Sequence, residues 1–320
     1  MGRHCIAAAV FALCAFASVG IADQWREDGD ARAGSMPWSV TVSADGDTLW
    51  VSMVGLRNRD NVWRYDADTL EVKAKASYRG HAVESVLIDG GARLVVTNSR
   101  DDKLMVLDAE TLEVERAIEV GRIPKDFRLT ADEKTAYIAN WGGGSLSVVD
   151  LEAGKLTHDI RVGRNARGVA LSPDGGEAYV MAFGPDEVIV VDTATRKVEA
   201  RIDACKNPRH AQVVGDHLLV TCFGARHVAV IDRNERKVVR KLRVGRGPKT
   251  IAVSPDQTIA VTADEKSNTL SFIDLESWTV NTVKTTGRKP CGVQFAPDGS
   301  RLYVTARGSH ELIVLERRAD

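Results

Sequence analysis

Leu146-Ser147-Val148-Val149-Asp150, a short apolar run closed by an aspartate, recurs through the chain at a nearly constant distance. Asp66, Asp108, Asp150, Asp192, Asp232 and Asp274 are separated by 42, 42, 42, 40 and 42 residues, and Glu316 stands a further 42 on. Each ends a run of the same kind, such as Met105-Val106-Leu107, Ile189-Val190-Val191, Ala229-Val230-Ile231, Ser271-Phe272-Ile273 and Ile313-Val314-Leu315. A period this regular means seven copies of one supersecondary unit. An aspartate in every copy is expected to receive turn amide hydrogens rather than to bind metal.

Reading outward from Asp150 defines the unit. Upstream, Arg122-Ile123-Pro124-Lys125 leads into Asp126-Phe127-Arg128-Leu129-Thr130, the turn Ala131-Asp132-Glu133-Lys134, and Tyr137-Ile138-Ala139-Asn140. Trp141 to Ser145 is a second turn; downstream, Lys155 to Val162 is the last run and Gly163 ends the unit. In the next copy Ser172-Pro173-Asp174-Gly175 is a type I turn sequence, echoed by Ser254-Pro255-Asp256-Gln257 and Ala296-Pro297-Asp298-Gly299. Each unit is therefore four short strands separated by turn chemistry. Seven such units predict an all-β, seven-bladed β-propeller with four-stranded blades. Apolar runs this short, punctuated by Gly and Pro, argue against a helical solenoid. The last copy stops after its third strand, Glu311 to Glu316, so the stretch Gln24 to Gly34 is expected to supply the missing outer strand.

Composition sets outer bounds. The 320 residues are 44% hydrophobic and 27% charged with a net charge of -1, which is ordinary for a soluble globular chain. No global charge drives it toward nucleic acid or a membrane. Arg3, the uncharged run from Cys5 to Ala22 and the polar stretch from Asp23 onward describe a signal peptide, cleaved after Ala17 or Ala22. A membrane anchor is the competing reading, because roughly 20 apolar residues suffice to span; lipoprotein processing at Cys14 is disfavoured by Leu13. Residues 1–22 are thus read as a leader and 23–320 as one propeller, a periplasmic, secreted or surface monomer without stable membrane insertion. The mature chain keeps Cys205, Cys222 and Cys291, an odd number for an oxidising compartment.

Tyr137-Ile138-Ala139-Asn140, Val95-Val96-Thr97-Asn98, Tyr179-Val180-Met181-Ala182 and Tyr303-Val304-Thr305-Ala306 resemble the YVTN repeat, as do the Ser-Pro-Asp-Gly turn and Val244-Gly245-Arg246-Gly247-Pro248. The resemblance runs over essentially the whole mature chain. It implies an exported or surface-located propeller. Relatives of that kind serve as binding proteins, surface-layer modules, or propeller parts of periplasmic dehydrogenases and haem enzymes, and fold alone does not choose among them.

In a propeller the residues after Gly-x-x-Pro and those after the YVTN tetrapeptide open on one face of the central channel. The position after the Pro reads Trp38, Val83, Lys125, Arg167, Arg209, Lys249 and Cys291, so four successive blades present a cation. A second set, Arg122, Arg164, Lys206, Arg246 and Arg288, follows the motif glycine and reads equally as solvated turn residues. Converging cations favour an anionic small molecule, a polyanion or an acidic protein surface. Trp141, Phe183 and Phe223 stand beside them, either stacking on a ligand or packing between blades. Cys205, His210, Cys222 and Cys291 collect on the same face. They read as a copper or zinc site or, alternatively, as a Cys205–Cys222 disulfide with Cys291 buried. Glu84, Asp126 and His210 are the acid–base candidates one step deeper.

No Gly-x-Ser-x-Gly, His-Glu-x-x-His, Cys-x-x-Cys-His or dinucleotide fingerprint is present, and no cofactor is identified. The leading expectation is a non-catalytic propeller binding an anion at the channel mouth. The alternatives are a lactonase-like hydrolase, a periplasmic oxidoreductase component, and a copper- or zinc-handling protein.

Overall fold

The computed structural model describes residues 21–55, 59–285 and 287–318; the expected leader up to residue 20, with Cys5, Cys14 and the Ala17 cleavage site, lies outside them. The described chain forms seven antiparallel sheets of four strands. Blade 3 is typical, running outward through Pro124–Leu129, Thr135–Asn140, Ser145–Asp150 and Lys155–Arg161. The innermost strands of blades 1 to 7 are Pro37–Val42, Ala82–Ile88, Pro124–Leu129, Ala166–Leu171, Pro208–Val214, Pro248–Val253 and Pro290–Phe295. Each packs on its neighbours, and the last packs on the first, which closes the ring.

Burial explains the strand chemistry. Second and third strands such as Glu177–Ala182 and Glu187–Asp192 are buried almost end to end, because a sheet lies against each of their faces. Their continuous Val, Ile and Ala runs match that double burial. Fourth strands such as Lys155–Arg161 sit at the rim, exposed and polar. The periodic aspartates hold the turns between these two strands: Asp66 accepts from the Thr69 amide at 2.9 Å, Asp108 from Thr111 at 2.7 Å and Asp192 from Thr195 at 2.6 Å.

The seventh blade is completed from the other end of the chain. Trp25–Arg32 pairs antiparallel with Glu311–Arg317, Trp25 opposite Arg317 and Arg32 opposite Glu311. Trp25 anchors this closure, its ring 5.9 Å from that of Phe272 and 5.7 Å from that of Phe295. Ile21 and Ala22, in the turn of 3-10 helix just before it, pack on the same cluster.

A feature of every blade positions the site. The register between first and second strands slips at the residue following the Pro position, leaving Trp38, Lys125, Arg167 and Lys249 as single unpaired residues in blades 1, 3, 4 and 6. In blades 2, 5 and 7 the slip spans Val83-Glu84, Arg209-His210 and Cys291-Gly292. A β-bulge frees a residue from the ladder and re-aims its side chain. Seven bulges at one level therefore direct seven side chains toward the channel axis.

Candidate functional site

The bulges assemble a cationic mouth around one indole. Lys249 Nζ lies 3.7 Å from the centroid of the Trp38 ring, and the guanidinium groups of Arg307, Arg167 and Arg209 lie at 5.5, 5.6 and 5.7 Å. Each is within cation–π range. Lys125 faces the same narrow space, a void of about 20 Å3 that holds little more than one water molecule. Against these five cations the contacts set one carboxylate, Glu265, which pairs with Arg307 and lies 3.4 Å from Lys249.

The electrostatics follow from burial and like charge. Lys249 is 1% exposed and its ammonium makes no hydrogen bond, its ion pair with Glu265 being long at 3.4 Å. Burial, together with Arg209 and Arg307, pushes its pKa down to about 8, with Cys291 and Glu265 working against the fall. Burial and then Arg167 and Arg209 push Lys125 down to about 7. Burial and then Arg167 likewise lower Arg209 well below its ordinary value. Burial opposes ionisation of Glu265, but Lys249, Arg307 and Arg209 outweigh it and hold the carboxyl below its usual range. A buried cation that lacks an acceptor is costly unless an anion satisfies it.

One layer below, Glu84, Asp126 and His210 come together. Asp126 is buried, accepts from Arg128 at 2.7 Å and from the Val169 amide at 3.1 Å. Arg128 donates to His210 Nε2 at 2.9 Å and the Ile251 amide points at Nδ1 at 3.4 Å, so a donor faces each ring nitrogen. Burial lowers the His210 pKa to about 4, so the imidazole is neutral. Burial, and then the Asp126 charge, raise Glu84 to about 8, which leaves it a carboxylic acid at neutral pH. Glu84 is thus a hydrogen donor, while Asp126 is fully engaged. The layer offers an acid without a free base.

Glu84, Arg128 and His210 also form the roof of a larger cavity of about 500 Å3, which opens between the turns joining first and second strands on the opposite face. Sequence reasoning looked only at the cationic face. Its lining comes from the first strands and the turns after them in several blades, a meeting that no local motif announces.

Trp141, Phe183 and Phe223 form an arc across blades 3 to 5, ring centroids 5.2 and 6.2 Å apart, half-buried on one another. Arg209 lies 5.0 Å from Phe223 and Arg167 6.0 Å from Trp141, so the arc borders the mouth. The post-glycine cations Arg122, Arg164, Lys206, Arg246 and Arg288 are exposed turn residues, and Lys206 pairs with Asp186 at 2.9 Å. Glu265 and Arg307 occupy the repeat position of Trp141 and Phe183, a signal hidden because their side chains are of different kinds. The four proposed metal ligands are not brought together. Cys205 and Cys222 form a disulfide, His210 lies in the channel, and Cys291 is a buried free thiol at the bulge of blade 7.

Residues 88–217, from the end of the first strand of blade 2 to the start of the second strand of blade 5, match the family described as the Cytochrome D1 heme domain. Among solved structures the chain is similar to the hydrazine synthase of Kuenenia stuttgartiensis, at 23% identity and a TM-score of 0.65, over 73% of this chain and 76% of that one. At that identity the likeness speaks for the fold. No curated protein matches the chain.

Proposed function

We propose that this chain is the propeller component of an extracytoplasmic oxidoreductase system, of the YVTN type, and that it holds an anionic group at the cationic channel mouth. The observation that carries the reading is Lys249, buried beside Trp38, Arg209 and Arg307 with no hydrogen-bonded acceptor for its ammonium, Glu265 lying 3.4 Å off. A carboxylate or phosphate group at the mouth supplies that acceptor and relieves repulsion among the five cations. The matched family's name, Cytochrome D1 heme domain, supports the redox context. The run from Cys5 to Ala22 and the Cys205–Cys222 disulfide support export.

The name also raises a haem, and the residues answer in two parts. The mouth fits carboxylate side groups such as a tetrapyrrole carries. The donor set does not fit its iron: His210 Nε2 is taken by Arg128, and the void under Trp38 is about 20 Å3. The ligand is accordingly assigned by its carboxylate or phosphate groups alone, and the rest of it rests against Trp38 and the aromatic arc.

The test is titration of the mature protein with citrate and with pyrophosphate at low and at moderate salt, comparing wild type with Lys249→Met. A charge-assisted hydrogen bond is worth roughly 1.5–3 kcal/mol, so affinity should fall about tenfold or more in the variant, and it should weaken with salt. Native mass spectrometry of protein from its own envelope fraction should show a co-purifying acid or partner chain. Binding indifferent to both salt and Lys249→Met would overturn the reading.

A further inference from the structure

In blades 3 and 6 the second and third strands meet the loop from the preceding blade in a polar pocket, whereas blades 1, 4 and 7 carry Met53, Ala182 and Ala306 at its central position. In blade 3 it is filled by Asn140, which donates to Ser145 Oγ at 3.1 Å and Ser147 Oγ at 2.8 Å, while the Gly121 amide donates to Ser147 Oγ at 3.0 Å. In blade 6 the same positions are Asp264, Thr269, Ser271 and Gly245, again joined by hydrogen bonds. Blade 5 departs from this chemistry. Its pocket holds Cys222 at the Asn140 position, His227 at the Ser145 position, Ala229 at the Ser147 position and Cys205 at the Gly121 position.

The substitution replaces hydroxyls and an amide by two sulfurs and an imidazole. Cys205 and Cys222 are bonded to each other, and a ring nitrogen of His227 lies within 4.8 Å of both sulfurs. Nε2 of His227 is shielded from solvent and has no hydrogen-bond partner. An imidazole nitrogen buried without a partner is costly, and unlike the Asp264 carboxylate of blade 6, which accepts from the hydroxyls around it, His227 Nε2 is left without one. We propose that Cys205, Cys222 and His227 form a redox-gated site for a soft or borderline d10 cation, Zn2+ or Cu+, closed by the disulfide and opened by its reduction. A dithiol reductant supplies two electrons and two protons, cleaving the sulfur–sulfur bond to two thiols and itself becoming a disulfide. The cation then binds both sulfurs as thiolates, releasing two protons, with His227 Nε2 as the third ligand. Two thiolates and a neutral imidazole suit these ions. Cys205 and His227 are only half-buried, which leaves a fourth position for water or an exogenous ligand.

This inference is independent of the anion site. The mature protein, as isolated and after reduction with a phosphine, is titrated anaerobically with Zn2+ against a chromogenic chelator, and with Co2+ to read thiolate-to-metal absorption. The reduced protein should take one Zn2+ per chain and develop the absorption, and the oxidised protein should do neither. His227→Gln, which leaves the disulfide intact, should weaken Zn2+ binding by the reduced chain at least tenfold. Cys291→Ser should change nothing. Equal uptake by oxidised and reduced protein, or an unchanged affinity in His227→Gln, would overturn the proposal. Circular dichroism of each reduced variant separates loss of the site from loss of the fold; a reduced wild-type chain that stays folded yet binds no metal also overturns it.

Discussion

Lys125 and Lys249 are ordinary lysines made unusual by position. Each stands on a bulge that removes it from the strand ladder and holds it among arginines around a void of about 20 Å3. Their depressed pKa values, about 7 and about 8, predict the pH behaviour of the mouth. Below pH 7 both are charged, and affinity for an anion is greatest. As pH rises through 7 to 8 each loses its proton, and affinity should fall by up to tenfold per unit for each lysine titrated. Calorimetry in buffers of different ionisation enthalpy checks the sign, because binding near pH 8 must take up protons. The cations at this position were legible from the repeat, since a residue copied at one place in successive blades must converge. Trp38 as their common centre was not, because a cation–π cage depends on side chains from five blades meeting in space.

At the scale of one blade, the pocket at the end of the second strand shows how a repeat tolerates variation. Asn140 can donate and accept; Asp264, in the same place, is 0% exposed and accepts from Ser271 at 2.6 Å, Thr262 at 2.9 Å, Thr269 at 3.2 Å and the Gly245 amide at 3.1 Å. Burial outweighs these bonds and raises its pKa to about 6. The folded state thus prefers the acid, and the sign follows from linkage. This contribution favours folding fully below pH 4, is lost as pH rises from 4 to 6, and stays lost above. Asp264→Asn, which copies blade 3, should therefore stabilise the protein above pH 6 by up to roughly 3 kcal/mol, at about 1.4 kcal/mol per pKa unit, and make no gain near pH 4. Thermal melts of both proteins at pH 4 and 8 test this as a difference of differences. The strand boundaries and turns were readable from Ser-Pro-Asp-Gly and the closing aspartates, because those are local backbone preferences. The bulges were not, since they show only in the register of each first strand against its second.

Closure is the property of the whole molecule. Trp25–Arg32 supplies the outermost strand of the seventh sheet and so ties the two ends of the described chain together, and Trp25 is the wedge between Phe272 of blade 6 and Phe295 of blade 7. Truncating a buried aromatic costs about 3–5 kcal/mol. Trp25→Ala should lower the melting temperature by that measure and expose the Glu311–Arg317 edge, so light scattering should detect association on mild heating. Unchanged melting and no association would mean that the strand is held by its ladder alone. The repeat by itself determined seven blades, their order, the closing strand and the face on which the loops converge, because periodic spacing and turn chemistry act through near neighbours in the chain. The Cys205–Cys222 disulfide was also among the sequence's readings; only the tertiary structure decided the cage around Trp38, the pairing of Glu265 with Arg307, the cavity on the far face and the place of His227 beside that disulfide. Those depend on which side chains strand pairing and blade packing bring face to face, which no local backbone preference specifies.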